Sequence, residues 1–110
     1  MSSSKNLSWH ERAKCVLPAG GFGNFDSSVI IKRGEGARVW DVDGKEYVDF
    51  LIGSGPMLLG HSHPEVVEVV EKQLKDGFTF FATSTAGIEL AEVICGAMAC
   101  AEQLLSLIHI

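Results

Sequence analysis

The sequence predicts an α/β fold made of a short helix, a small antiparallel sheet and two longer helices, in that order. Three observations predict it. Residues 29–50 are rich in β-branched and aromatic side chains and carry an Asp43-Gly44 pair, which tight hairpin turns favour. Val66, Val70 and Leu74, with Val67 beside them, recur at the spacing of one helical face. Leu90, Ile94, Ala97 and Met98 form a second such stripe.

Each element has a local reason. The run "SSSKN" reads as a disordered start covering residues 1–7. Ser8 followed by Glu11 has the spacing of a capping box, which places a short helix over Trp9–Val16 and stops it before Pro18. A glycine-rich loop, "PAGGFGNF", follows. "VIIKR", "ARVWDV" and "KEYVDF" are the expected strands, with Trp40, Val42, Tyr47 and Val48 as packing residues. Asp41, Asp43 and Asp49 are expected to face water from the hairpin. Pro64 suits the first position of a helix, with Glu65 in its positive first turn and Gly77 at the position that ends it. "FTFFATSTAG" reads as an irregular linker, and the last helix is expected from about Gly87. Both longer helices are one-faced, and the chain supplies little to cover those faces.

Composition narrows the function classes. With 46% hydrophobic and 21% charged residues in 110, the chain has the make-up of one globular domain. A net charge of -5 and nine scattered Lys and Arg argue against a nucleic-acid partner. The apolar runs fall short of a membrane span, and the N-terminus has no apolar core of a secretory signal. Cys15, Cys95 and Cys100 form no C-x-x-C pair, so reduced, buried thiols in a cytoplasmic protein are expected.

"FLIGSGPMLLGHSHPE", residues 50–65, is the segment least like an ordinary core run. His61 and His63 stand one residue apart, but a zinc site needs a third and fourth ligand that no spacing supplies. Structural roles are expected instead: His61 bonding a loop, His63 helping to cap the following helix. No metal site is assigned. Gly53, Gly55 and Gly60 permit positive φ and close approach of a ligand, and equally suit a plain turn from sheet to helix. The spacing is not that of a dinucleotide-binding loop. No nucleophile-base or paired-carboxylate arrangement emerges, so no catalytic residue is assigned. A complete small protein that binds a ligand or partner without catalysis therefore stands as the alternative to an enzyme.

"GEGARVWDVDGKEYVDF", "GPMLLGHSHPEVVEVV" and "TSTAGIELAEVIC" resemble, in that order, the N-terminal region of class III aminotransferases. The resemblance covers about residues 8–104. Within the class, "GPMLLGH-HP" is most similar to the glutamate-1-semialdehyde 2,1-aminomutases and their aminotransferase relatives. It implies the N-terminal part of a fold-type I transferase that uses pyridoxal 5′-phosphate, acts on a small amino or keto compound and forms a homodimer. Residues 8–84 would then be the N-terminal segment and residues 85–104 the start of the cofactor-binding domain. It further implies that Phe25, Ser54, Gly55 and Met57 line the substrate side, and that Thr83 and Ser84 lie near the cofactor phosphate of a partner subunit. The family's phosphate loop, its acidic partner to the pyridine nitrogen and its Schiff-base lysine have no counterpart here. An inactive fragment that does not retain the cofactor is expected.

Two departures bear on the substrate. Ser54 stands where the aminomutases carry the tryptophan of "GSWGP", and "GFGNFD" stands where they carry the arginine of "VRAF". Loss of a bidentate carboxylate partner changes specificity, and transaminase or aminomutase remain the two activities. The last six residues, "LSLIHI" (Leu105–Ile110), resemble the in-frame translation of a transposase mosaic-end adapter used in sequencing libraries. They are set aside from the fold as a cloning scar would be, the competing reading being a genuine apolar strand.

Overall fold

The computed structural model describes residues 4–21 and 28–106. The chain divides into two compact units, residues 1–70 and 71–110, with the division inside the second helix.

The first unit opens with helix α1, Ser4–Val16. It begins earlier than Trp9, and Ser8 lies inside it rather than capping it. The reason is tertiary. Asn6 Nδ2 donates to Asp41 Oδ2 at 2.9 Å, its backbone N–H donates to Asp43 Oδ2 at 3.0 Å, and its Oδ1 accepts the Ile30 N–H at 3.0 Å. Asp43, remote in sequence, thus receives one of the N–H groups that the first turn of any helix leaves free.

Strands β1 (Ile31–Glu35), β2 (Arg38–Asp41) and β3 (Glu46–Val48) form an antiparallel meander in that order. Arg33 pairs with Trp40 and Glu35 with Arg38, with a register irregularity between Ile31 and Arg33. Val39 pairs with Tyr47, and Trp40 with Glu46. The β2–β3 turn falls where Asp43-Gly44 predicts it, with Gly44 at φ +85°. Arg33 lies 3.5 Å over the Trp40 ring, and Arg38 pairs with Glu46. Both contacts brace a sheet too small to stand alone.

Asp41 is the surprise of the sheet. It is only 3% exposed, where a water-facing hairpin carboxylate was expected. Four donors explain its burial: Asn6 Nδ2, the Tyr47 hydroxyl at 3.0 Å, and the N–H groups of Asp43 and Lys45 at 2.9 Å each. A buried carboxylate is tolerated when its oxygens are satisfied in this way. Asp43 and Asp49 are half-buried rather than exposed. Among the described residues no apolar side chain is buried.

Helix α2 runs Pro64–Asp76, bounded as its Pro and Gly predict, with Gly77 at φ +83°. Its expected apolar stripe is real but exposed, from Val67 at 39% to Leu74 at 54%. In the second unit, Gln73 Nε2 donates to the Gly77 carbonyl at 2.7 Å, closing the end of α2. Helix α3, Thr85–Ala97, begins before Gly87 because Ser84 Oγ accepts the Gly87 N–H at 3.3 Å. Replacing Ser84 by alanine should cost α3 about 1 kcal/mol, the usual value of such a cap. Helicity of a peptide spanning 80–100, followed by circular dichroism, checks this.

The expectation of buried thiols is corrected for two of three. Cys15 and Cys100 are exposed and Cys95 is half-buried. Cys15 lies on α1, where its Sγ donates to the Glu11 carbonyl at 3.4 Å. No helix among these residues is long and apolar enough to cross a membrane. Leu105 and Ser106 have no regular structure, and residues 107–110 lie outside the described residues.

Candidate functional site

The segment from Asp49 to His63 leaves β3, turns at residues 52–55 and again at 57–60, and returns to the start of α2. Asp49 organises its beginning. Its Oδ1 accepts the N–H groups of Leu51 at 2.9 Å and Ile52 at 3.0 Å. A carboxylate bonding the amides just after it is how aspartate commonly starts a turn.

The turn itself is left-handed over four residues. Ile52, Gly53, Ser54 and Gly55 have φ of 47°, 64°, 64° and 115°. Glycine adopts this region freely, whereas Ile52 and Ser54 are each held there at a cost of about 1–3 kcal/mol. The bonds that hold them are Ser54 N–H to the Leu51 carbonyl at 2.9 Å, and the N–H groups of Gly55 and Met57 to the Ile52 carbonyl at 3.2 Å each.

The return is anchored by His61. Its Nε2 lies 2.6 Å from Asp49 Oδ2, both side chains being largely covered. Its backbone N–H and carbonyl bond the Gly36 carbonyl and N–H at 2.8 and 2.9 Å, a bridge to the β1–β2 turn. The side chain packs closely against Gly34, where an added Cβ would stand 2.5 Å from His61 Cγ. Gly60, at φ +82°, passes so near Gly36 that a Cβ would meet its carbonyl at 2.8 Å. Ser62 Oγ adds a bond to the Gly34 carbonyl at 3.0 Å.

The electrostatics match. Asp49 titrates below the ordinary aspartate value of 3.8, chiefly through the His61 hydrogen bond, then the Ile52 N–H; burial opposes these and loses. Since Asp49 engages one ring and two amides, it acts as a fastener rather than a free base. Beside it lies an apolar hollow of about 740 Å³ whose walls include Val29, Val39, Val48, Phe50, Leu51 and Gly53, with Tyr47, Asp49 and His61 as its polar atoms.

The expected site residues are placed as follows. Ser54 and Gly55 are exposed at the crest of the turn, and Met57 is half-buried, its side chain near the spot a Gly53 Cβ would occupy. It is Gly53, not Ser54, that lines the hollow. Thr83 and Ser84 belong to the second unit, where Thr83 is exposed and Ser84 caps α3. Phe25 and His109 lie outside the described residues. His63 accepts the Val67 N–H at 2.9 Å through its backbone carbonyl, the first bond of α2 and one that any residue there would make. Its ring Nδ1 is buried without a hydrogen-bond partner. Among the described residues no three His, Cys, Asp or Glu side chains converge as a metal would require. Asp49 was missed as a site residue, although an aspartate shortly before a glycine-rich turn is a signal for this kind of capping.

Comparison with known proteins covers this same stretch. Residues 23–107 match the family described as class-III aminotransferase, which runs past the expected limit at Leu104. Glutamate-1-semialdehyde 2,1-aminomutase of Acetivibrio thermocellus is 43% identical over 101 residues, which is 86% of this chain and 24% of that protein. An omega-transaminase from Sphaerobacter thermophilus superposes with a TM-score of 0.78 at 32% identity, over 92% of this chain and 24% of its own. The FumI protein of a Sphingopyxis species, solved in its PLP internal aldimine form, gives 0.81 at 29% identity, over 92% and 26%. The chain therefore spans about a quarter of the length of the relatives it matches.

Proposed function

Because the chain belongs to the class-III aminotransferase family, we propose that it forms the N-terminal part of a pyridoxal 5′-phosphate-dependent enzyme. That enzyme moves an amino group between small amino and keto compounds, or within one such compound as an aminomutase does. The observation that carries this reading is the family match, which runs through the sheet, the left-handed turn and both longer helices. The enzyme is proposed as cytoplasmic, a reading supported by three cysteines without a partner sulfur, and as a homodimer, which follows from the family resemblance alone.

The residues of this stretch do not by themselves fit the cofactor. All six lysines are exposed, Lys14 is paired with Glu11 and Lys45 lies over Tyr47, and none lines the hollow beside Asp49. What this stretch contributes is shape: an exposed hydroxyl at Ser54, set on a backbone held rigid by Asp49 and His61. Such preorganisation is what lets a few polar groups choose one small substrate.

Ser54 is the residue to test. In the full-length enzyme carrying this stretch, Ser54→Trp fills the space that the aminomutases give to tryptophan. The ratio of kcat/KM between a bulky and a small amino donor should fall by roughly tenfold to a hundredfold, the effect of reshaping one pocket wall. An unchanged ratio counts against placing the turn beside the substrate. Absence of amino transfer with any donor, from a folded and cofactor-loaded enzyme, counts against the activity itself.

A further inference from the structure

We infer that Asp49 and His61 form a clasp that sets the shape of the left-handed turn Ile52–Gly55, which makes both of them positioning residues for the small molecule that the turn faces. The link to a substrate rests on the reading above; the clasp itself does not.

Geometry is the argument. The turn contains two residues, Ile52 and Ser54, in a backbone region that side chains disfavour. Left alone, such a segment relaxes, so something must over-determine it. Asp49 does so directly, by holding the amides of Leu51 and Ile52. His61 does so at one remove. It fixes Asp49 through the 2.6 Å contact, and it is itself fixed by the paired bonds to Gly36 and by the close seat on Gly34. A chain of contacts therefore runs from the β1–β2 turn through His61 and Asp49 to Ile52. Two glycines are required for close approach: Gly34 for the ring, Gly60 for the backbone of Gly36.

The pair also has a chemical signature that mere space-filling lacks. With Asp49 ionised, the ring must present a donor at Nε2, and protonation of the ring keeps that donor in place. With asparagine at the same position, the carboxamide oxygen still accepts from Leu51 and Ile52, while its NH2 faces the ring. A neutral His61 can then accept at Nε2 by adopting its other tautomer, but a protonated one cannot. Acidification should thus leave the native turn intact and loosen it in Asp49→Asn. The other titratable side chain lining the hollow is Tyr47, which is bonded to Asp41 and does not enter this balance.

Amide hydrogen exchange in the whole 110-residue chain tests this, using wild type, Asp49→Ala and Asp49→Asn across the range in which histidine titrates. In Asp49→Ala the amides of Leu51 and Ile52 should exchange roughly tenfold to a hundredfold faster, as loss of bonds to a charged acceptor implies, with Ser54 and Met57 following. Asp43 and Lys45, held by Asp41, should not change. Asp49→Asn should match wild type at neutral pH and lose protection on acidification. The inference is overturned if the turn amides are unprotected in wild type, or unchanged in Asp49→Ala. It is equally overturned if wild type and Asp49→Asn respond alike to pH, or if Asp43 and Lys45 lose protection together with the turn. Failure of the Ser54 experiment leaves these amide results standing, so the two readings fail separately.

Discussion

Replacing Asp41 by alanine is expected to undo the junction between α1 and the sheet, the largest effect of any single carboxylate in this chain. Four donors converge on Asp41, from Asn6, Tyr47, Asp43 and Lys45, and its removal leaves all of them without their acceptor. Unsatisfied polar groups at a covered site are costlier than the bonds they replace. Exchange of the Asp43 and Lys45 amides should accelerate by roughly tenfold to a hundredfold, with helicity of α1 lost alongside. Asp43→Ala, which removes one bond to the Asn6 N–H, should do much less.

The same carboxylate predicts an acid response. Burial pushes the Asp41 pKa up, but the Lys45 N–H, Asn6, Tyr47 and the Asp43 N–H together bring it below the ordinary 3.8. A group whose folded pKa is depressed lends stability above its unfolded value and gives it up as pH falls through the folded value. The α1–sheet junction should therefore be at full strength at neutral pH and fail only below 3.8. Loss of helix signal well above that pH would show that Asp41 is not what holds α1.

Gly60→Ala is expected to be far more damaging than Gly36→Ala, which supplies its control. Gly60 has φ +82°, and an added Cβ would stand 2.8–2.9 Å from the carbonyl, carbon and Cα of Gly36. Backbone cannot yield as a flexible side chain can. Gly36 also has positive φ, at +53°, but a Cβ there would meet nothing within 4 Å. Gly36→Ala should thus cost only the left-handed penalty, roughly 1–2 kcal/mol. Gly60→Ala should cost that and in addition break the Gly36–His61 bridge, freeing the return of the loop. Equal losses of protection in the two variants would mean that the bridge adds nothing.

These effects also mark where the sequence could be read and where it could not. The Asp43-Gly44 turn, the Pro64 start and the Gly77 end of α2 were legible because each depends on local backbone preference. The start of α1 was not, since Asn6 finds its partners 24 to 37 residues away. Burial of Asp41 follows from the same long-range knot, and no local pattern separates it from a solvated turn aspartate. The Asp49–His61 contact spans 12 positions and was hidden for the same reason. The apolar residues of the α2 stripe were legible from their helical spacing. They are exposed here in a chain that spans 24% of its curated relative's length. Family membership was legible because motif order carries it.

The most direct test of the central claim, that this stretch serves a cofactor-dependent amino-transferring enzyme, is long-read sequencing of the source DNA through codon 110 and onward. The account predicts that the frame continues from Leu104 into a glycine- and threonine-containing phosphate loop and, further on, a lysine able to bind the cofactor. A genuine stop codon directly after Ile110 would contradict it, leaving a short protein whose clasp and hollow serve binding alone.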